Sequence, residues 1–245
     1  MTGSSAGVFL TATWRHLLML NYEVDPALLG PLVPDGTRLD MHGGRTWISL
    51  VGFRFLDTRV LGVPVPFHRD FDEVNLRFYV RREVGKEVRR AVVFVRELVP
   101  RAAIAWLARL VYNEPYTTLP MRSAITDGPP LRAQYAWKLA GHWHSFGATA
   151  ADRFDIPPGD SSEAFITEHY WGYTRQRDGS TVEYQVEHPR WGVARATDIV
   201  IDADLAALYG ADLASFLSRP TSAFLADGSA VSVRRAVSLP RSTAP

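Results

Sequence analysis

The chain of 245 residues contains no cysteine, which excludes disulfides, thiolate metal sites and cysteine nucleophiles. Lysine is nearly as scarce: only Lys86 and Lys138 are present among 27 basic residues, and all the others are arginine. Chemistry that depends on a side-chain amine, such as Schiff-base formation, is therefore open to two positions at most.

The net charge is also small, and the apolar runs are short. With 27 basic and 26 acidic residues, the net charge of +1 is too small to capture nucleic acid or an anionic membrane. The N-terminus lacks a basic start followed by an apolar core, and the run AAIAWLARLVY is far shorter than the roughly 20 residues of a membrane span. We therefore expect a cytoplasmic protein that binds neither nucleic acid nor membranes.

Short strand patterns dominate what the sequence does contain. Hydrophobic residues make up 47% of the chain, enough to bury a substantial core. Asp25 and Pro26 predict the start of a short helix, and helical spacing predicts another between Pro100 and Pro115. Residues 131–146 read as one continuous strand. Glycine-containing turn signals predict hairpin tips at residues 43–44, 85–86, 178–179 and 227–228.

Many hairpins and few helices predict a mainly β (α+β) fold. Closing such strands into an antiparallel β-barrel removes exposed edges, and a barrel of this size can hold a small ligand. We expect a single domain over residues 1–245, with short flanking helices and an internal pocket.

The stretch FDEVNLRFYVRR, residues 71–82, alternates like a strand with two distinct faces. Val74, Leu76, Phe78 and Val80 form an apolar face. The opposite face is formed by Glu73, Asn75, Arg77 and Tyr79. This polar face points either to solvent, where a Glu73–Arg77 pair contributes little, or into the barrel, where its groups meet a ligand.

The order of several motifs resembles a known family. WRHLLMLNYEVDPALLGPLVPDG resembles the start of acetoacetate decarboxylase, and FDEVNLRFYV is similar to the strand that carries that enzyme's active-site glutamate. GRTWISLVGFRF, EVNLRFYV, RLVYNEPY and VEHPRW, in this order, resemble the YqjF-like uncharacterised bacterial family of the same superfamily. The resemblance implies an acetoacetate-decarboxylase-like barrel, and it is compatible with a homo-oligomer.

The resemblance carries over to some catalytic positions and not to others. It implies that Arg15 matches the arginine that meets the substrate carboxylate, and that Glu73 matches the glutamate. The decarboxylase has two lysines after a proline, whereas Tyr116 and Thr117 follow Pro115 here. A hydroxyl cannot form an iminium with a ketone, so we predict no lysine-dependent decarboxylation and no cofactor.

Lys138 and two histidines are weaker candidates. On a continuous strand Lys138 shares a face with His142 and His144; burial of that face would lower the lysine pKa, and exposure would leave an ordinary surface lysine. The two histidines have ligand-like spacing, but a third donor would have to come from His169 or His188. We therefore predict no metal.

Three functions remain open. The first is binding of a small organic acid or related molecule, recognised as a carboxylate or keto-acid-like ligand through Arg15 or Arg77. The second is a lyase or hydrolase that uses Glu73 as general acid or base without a Schiff base. The third is a scaffold or partner-binding protein with a filled barrel. The candidate ligand-binding residues are Arg15, Asn75, Arg77, Tyr79 and Lys138, and the candidate catalytic residues are Glu73 and Tyr116.

Overall fold

The computed structural model describes residues 7–64, 68–100, 115–151 and 153–239. This part of the chain is mainly β, as predicted. Its strands are β1 (Val8–Val24), β2 (Arg38–Leu39), β3 (Thr46–Val60), β4 (Val63–Pro64), β5 (Phe71–Val84), β6 (Glu87–Val99), β7 (Tyr116–Thr118), β8 (Met121–Thr126), β9 (Leu131–Leu139), β10 (His142–Ala150), β11 (Trp171–Arg175), β12 (Thr181–Glu187), β13 (Val193–Asp202), β14 (Ser222–Arg234) and β15 (Val237–Ser238).

The helices of the described residues are all short. They are α1 (Pro26–Leu29), followed by a 3-10 turn (Gly30–Leu32), α2 (Ser162–Thr167), α3 (Leu205–Tyr209) and α4 (Ala211–Phe216). The helix predicted between Pro100 and Pro115 falls on residues 101–114, outside the described residues. No helix in the described ranges is long and apolar enough to cross a membrane.

Local turn and cap chemistry explains the elements that were predicted. The Asp25 side chain accepts a hydrogen bond from the Ala27 amide at 2.8 Å, which caps the start of α1. Gly179, with φ of 83°, completes the turn between β11 and β12, and Gly85, with φ of 61°, completes the turn between β5 and β6. These two predicted hairpins are confirmed.

Two strand predictions are wrong. Residues 131–146 are not one strand: Ala140 and Gly141 adopt φ of 49° and 87°, and the chain reverses there to form the β9–β10 hairpin. Strand β14, conversely, runs without a reversal through Asp227 and Gly228. A Cβ on Gly228 would lie 2.2 Å from the Trp14 carbonyl oxygen, so glycine is needed there for close strand approach rather than for a hairpin turn.

Seven strands form a closed, ring-like path in the order β1–β3–β5–β6–β11–β12–β14. The β12–β14 pairing of Val186 with Val233 closes the ring. Most pairings are antiparallel, but β11 runs parallel to β6. The sheet is therefore mainly antiparallel and ring-like and encloses a lumen, as the sequence predicts.

A second layer covers the outside of β1, β3 and β5. Strands β13, β10, β9 and β8 extend from β14 in that order. The side chains of Tyr135, Trp137 and Phe146 from this extension share one buried cluster with Leu76 of β5. A Cβ on Gly52 of β3 would lie 2.4 Å from the Tyr135 ring, so the two layers are in direct contact. Both faces of β5 are consequently buried.

Candidate functional site

The lumen of the ring contains a cavity of about 130 Å³. Glu73, Asn75 and Arg77 reach it from β5, because residues two apart on a strand share a face. Tyr116 reaches it from β7, and His169 from the segment that follows α2. The polar face of residues 71–82 therefore lines the cavity at three of its four positions, while the apolar face packs against the outer layer.

Glu73 is fully enclosed by its neighbours. Asn75 Nδ2 donates a hydrogen bond to Glu73 Oε1 at 3.0 Å, and the Tyr116 hydroxyl donates to Oε2 at 3.2 Å. Burial raises the pKa of Glu73 to about 7 from its ordinary value of 4.5, although both hydrogen bonds and the charge of Arg77 oppose the shift. A carboxyl group with such a pKa can accept or donate a proton near neutral pH.

Arg77 is a buried cation, with only 9% of its surface exposed. Its Nη2 donates to the Ile166 carbonyl at 3.4 Å, and the same atom lies 3.9 Å from Met19 Sδ. Its Nε is buried and has no hydrogen-bond partner in the described part of the chain. Among the described residues, no carboxylate forms an ion pair with this guanidinium.

His169 lines the cavity and is hydrogen-bonded to a buried charged residue, Asp40. Its Nε2 lies 3.2 Å from Asp40 Oδ2, and Arg90 Nε donates to the same oxygen at 2.8 Å. Burial lowers the pKa of His169 to about 4, so the ring is neutral at neutral pH. Burial alone would raise the pKa of Asp40, but the hydrogen bonds from His169 and Arg90 outweigh burial and lower it. An ionised Asp40 thus accepts the Nε2 proton and leaves Nδ1 as an acceptor.

Aromatic rings form the rest of the wall. Phe55 and Phe71 are stacked at 4.5 Å between ring centroids, and Trp14 meets Phe53 edge-on at 5.2 Å. The cavity-lining aromatic residues of the described chain are Phe9, Trp14, Phe53, Phe55, Phe71, Phe94, Tyr116, Trp171, Tyr184 and Trp191. The cavity therefore combines a compact polar patch with a broad aromatic surface.

Three other candidates lie away from the cavity. Arg15 is exposed, on the strand face opposite to Trp14, and its Nη1 donates to the Asp227 carbonyl at 3.2 Å. Tyr79 is buried, but its hydroxyl is 2.6 Å from Ser49 Oγ and its ring packs against His169, outside the cavity wall. Lys138 is exposed on β9.

His142 and His144, the two histidines with ligand-like spacing, do not line the cavity. His142 is exposed, and His144 Nδ1 accepts a hydrogen bond from the Asp204 amide at 3.2 Å, next to the start of α3. Within the described ranges, no three His, Asp or Glu side chains are placed to hold a metal ion.

Sequence reasoning missed two contributors to the site. The sequence indicates His169 only as a third metal donor, and it does not indicate Asp40. Ser161 caps α2 by accepting a hydrogen bond from the Ala164 amide at 3.1 Å. A serine followed two positions later by Glu163 is a helix-start signal that could have indicated α2, and with it the placement of His169.

The DUF2071 family, described as an uncharacterised conserved protein, matches residues 11–230 of the chain. This match confirms the resemblance to the YqjF-like family that the ordered motifs indicate. No curated protein sequence matches the chain.

Several solved structures share the fold. Acetoacetate decarboxylase from Legionella pneumophila has a TM-score of 0.66 at 12% identity, covering 98% of this chain and 90% of that chain. An acetoacetate decarboxylase-like enzyme from Sphingomonas wittichii has a TM-score of 0.65 at 14% identity, covering 96% and 94%. The enduracididine biosynthesis enzyme MppR, complexed with pyruvate, has a TM-score of 0.66 at 14% identity, covering 98% and 93%. The predicted acetoacetate-decarboxylase-like fold is confirmed.

Proposed function

The chain belongs to the DUF2071 family, and from this premise we propose that it binds a small organic acid inside the ring of strands, with Arg77 binding the carboxylate. The observation that carries the proposal is the buried guanidinium with an unpartnered Nε in the described part of the chain. Transferring a cation from water into an apolar cavity is costly unless an anion and hydrogen bonds compensate it. A carboxylate presents two oxygens that match the planar fork of arginine.

Known ligands of a structural neighbour are consistent with this proposal. MppR, which shares the fold, is complexed with pyruvate, a small keto acid. The polar patch of the present cavity has room for such a group beside Arg77, because the cavity volume is about 130 Å³. The presence of this cavity also argues against the third function, a scaffold or partner-binding protein whose barrel is filled by side chains.

The positions of the lysines support binding without a Schiff base. Lys86 lies at the exposed tip of the β5–β6 hairpin, and Lys138 is exposed on β9. Neither lysine is among the residues that line the cavity, so neither amine is placed to attack a ligand bound beside Arg77. At the position that resembles the decarboxylase lysines, Tyr116 donates a hydrogen bond to Glu73 instead.

Acid–base catalysis is the second candidate function. It is favoured by one observation, the burial that raises the pKa of Glu73 to about 7. A lyase or hydrolase could use Glu73 to move a proton on the bound acid, with Tyr116 holding the carboxyl group in place. Turnover of a bound acid would distinguish this candidate from binding alone.

The test is a titration of the purified full chain with propionate, pyruvate and acetoacetate, followed by thermal shift and calorimetry. Propionamide serves as a neutral analogue of propionate. We expect the acids, but not the amide, to raise Tm saturably. Equal shifts for propionate and propionamide would contradict recognition of a carboxylate, and the absence of any saturable ligand would favour the filled scaffold.

Two matched variants assign the binding residue. Arg77→Met should weaken binding of the acids about 10- to 100-fold, because a hydrogen bond to a charged group contributes about 1.5–3 kcal/mol. Its Tm without ligand should not fall, since the variant removes an incompletely paired buried charge. Arg15→Met is the control and should bind as the wild type does. The opposite result would assign the carboxylate to Arg15.

The cytoplasmic location, the single domain over residues 1–245 and the homo-oligomer stay predictions of the sequence.

A further inference from the structure

Two buried carboxyl groups line the same cavity as Arg77. Glu73 from β5 and Glu97 from β6 are each only 2% exposed. Among the described residues of the wall, Arg77 is the single side chain with a permanent positive charge. Burial lowers the pKa of the two lining histidines, His169 and His188, so both rings are neutral at neutral pH. The described wall therefore compensates one negative charge at most.

The other ionisable groups of the described wall do not supply a second positive charge. They are the hydroxyls of Tyr116 from β7 and Tyr184 from β12, and strands β1, β3 and β14 contribute none. The two groups that donate hydrogen bonds to Glu73, Asn75 and Tyr116, are both neutral. Glu73 therefore takes up a proton without losing an ion pair to a described residue.

Arg77 acts on Glu73 through space in the ligand-free cavity. The two side chains lie on the same face of β5, and the positive charge of Arg77 favours the ionised form of Glu73. A carboxylate bound to Arg77 neutralises this charge and adds its own negative charge to the same buried space. Both effects raise the Glu73 pKa above its ligand-free value of about 7, so Glu73 takes up a proton when the ligand binds.

The volume of the cavity limits the ligand to a short acid. An apolar cavity of roughly 150 Å³ holds one benzene molecule, whereas this cavity measures about 130 Å³. Propionate has fewer non-hydrogen atoms than benzene. Oxamate and oxalate, two planar analogues of pyruvate, have as many non-hydrogen atoms as benzene but fewer hydrogens or none. These three anions are therefore probes of the appropriate size.

We infer that the cavity holds one negative charge: it binds a short monocarboxylate beside Arg77 together with one proton, which Glu73 carries, and it discriminates against a dicarboxylate of the same shape. The inference rests on the proposed function and specifies the charge and the size of the acid. Because linkage is reciprocal, protonation of Glu73 strengthens binding by the same factor by which binding strengthens protonation.

Calorimetric titration of the full wild-type chain with propionate at pH 6, 7, 8 and 9 tests the proton. Propionate itself stays ionised over this range. We expect Kd to change little below pH 7 and to rise at least fivefold between pH 7 and pH 9, because protonated Glu73 becomes rarer. At pH 8, the difference between the heats measured in Tris and in triethanolamine should report proton uptake.

Glu73→Gln locates the proton, because it replaces the carboxyl group by a neutral amide of the same shape. This variant should bind propionate with a Kd that is constant within twofold from pH 6 to pH 9, and it should take up no proton. His188→Gln removes another ionisable group from the wall and should keep the wild-type pH dependence. Persistence of the pH dependence in Glu73→Gln, or its loss in His188→Gln, would overturn the assignment to Glu73.

A matched pair of ligands tests the charge without any variant. Oxamate and oxalate have the same shape, but at pH 7.5 oxamate carries one negative charge and oxalate carries two. Oxamate should bind the wild-type chain at least 10-fold more tightly, because the described wall holds no second cation for the second carboxylate. Equal or tighter binding of oxalate would overturn the inference.

The outcomes separate this inference from the proposed function. A propionate Kd that stays constant from pH 6 to pH 9, without proton uptake, overturns the inference and leaves carboxylate binding by Arg77 intact. Failure of propionate, pyruvate and oxamate to bind at any of these pH values overturns both proposals.

Discussion

The hydroxyl of Tyr116 donates a hydrogen bond to Glu73 Oε2 over 3.2 Å, inside a cavity where that carboxyl is otherwise isolated from water. Tyr116 thus occupies, next to the glutamate, the chain position at which the resemblance to acetoacetate decarboxylase would place an amine. A tyrosine hydroxyl forms no iminium, so Tyr116 cannot take the role of the decarboxylase lysine. Its hydrogen bond instead lowers the pKa of the Glu73 carboxyl group.

Removing this hydroxyl should raise the Glu73 pKa further. The Tyr116 hydrogen bond favours the ionised carboxylate and partly offsets burial, which raises the pKa to about 7. In Tyr116→Phe we therefore expect Glu73 to titrate at a higher pH than in the wild type. Carbon-13 NMR of labelled glutamate side chains measures this directly. Tyr170→Phe, a substitution outside the cavity wall, is the control, and an unchanged or lower Glu73 pKa in Tyr116→Phe would contradict the assignment.

Glu73 should also make the fold less stable as pH rises. Its folded-state pKa is about 7 and its ordinary value is 4.5, so the folded chain holds the proton more tightly than the unfolded chain. The free energy of unfolding should consequently fall as pH increases from 4.5 through 7. Glu73→Gln removes this loss, and above pH 7 it should be more stable than the wild type by about 3 kcal/mol.

Urea denaturation at a series of pH values measures that difference. At pH 4.5 and below, the two proteins should be nearly equal, because Glu73 is then neutral in both states. Asp160→Asn, on an exposed turn, is the matched control and should follow the wild-type pH profile. A Glu73→Gln profile parallel to that of the wild type would show that the carboxyl is solvated.

Gly52→Ala should destabilise the contact between the ring and the outer layer. An added Cβ would lie 2.4 Å from Cδ2 of Tyr135 and 2.8 Å from Cζ of Phe146, and neither ring can move freely in the buried cluster. Overpacking of this kind costs about 1–3 kcal/mol, so Tm should fall by several degrees. Gly30→Ala, where a Cβ meets no atom within 4 Å, is the control. Equal Tm values for the two variants would contradict tight layer packing.

Borohydride trapping should detect no Schiff base. With acetoacetate or pyruvate present, reduction makes any iminium permanent, and mass spectrometry then identifies the modified lysine. We expect no stoichiometric adduct, because Lys86 and Lys138 are both exposed and neither lines the cavity. A stoichiometric adduct on Lys138 that disappears in Lys138→Ala would return the protein to the Schiff-base enzymes. An adduct on Lys86 alone would indicate surface chemistry.

The Asp-Gly signal predicted a turn correctly at one site and wrongly at another, where a neighbouring strand packs closely against the glycine. Asp178 and Gly179 form the predicted turn because its hydrogen bonds are local, including one from the Ser180 amide to Asp178 Oδ1 at 3.0 Å. The same dipeptide at Asp227 and Gly228 lies within β14, where the glycine permits close approach of Trp14. An identical local signal thus has two structural meanings, and only the packing partner distinguishes them.

The sequence by itself determined the mainly β class, the family, the scarcity of amines and the alternation that places Glu73, Asn75 and Arg77 on one face. These properties depend on composition and on residues close together in the chain. Tertiary structure alone decided that this face lines a cavity, because the outer layer of β8, β9 and β10 buries the opposite face. It also paired His169 with Asp40 across 129 positions, a contact that depends on ring closure and leaves no local signal.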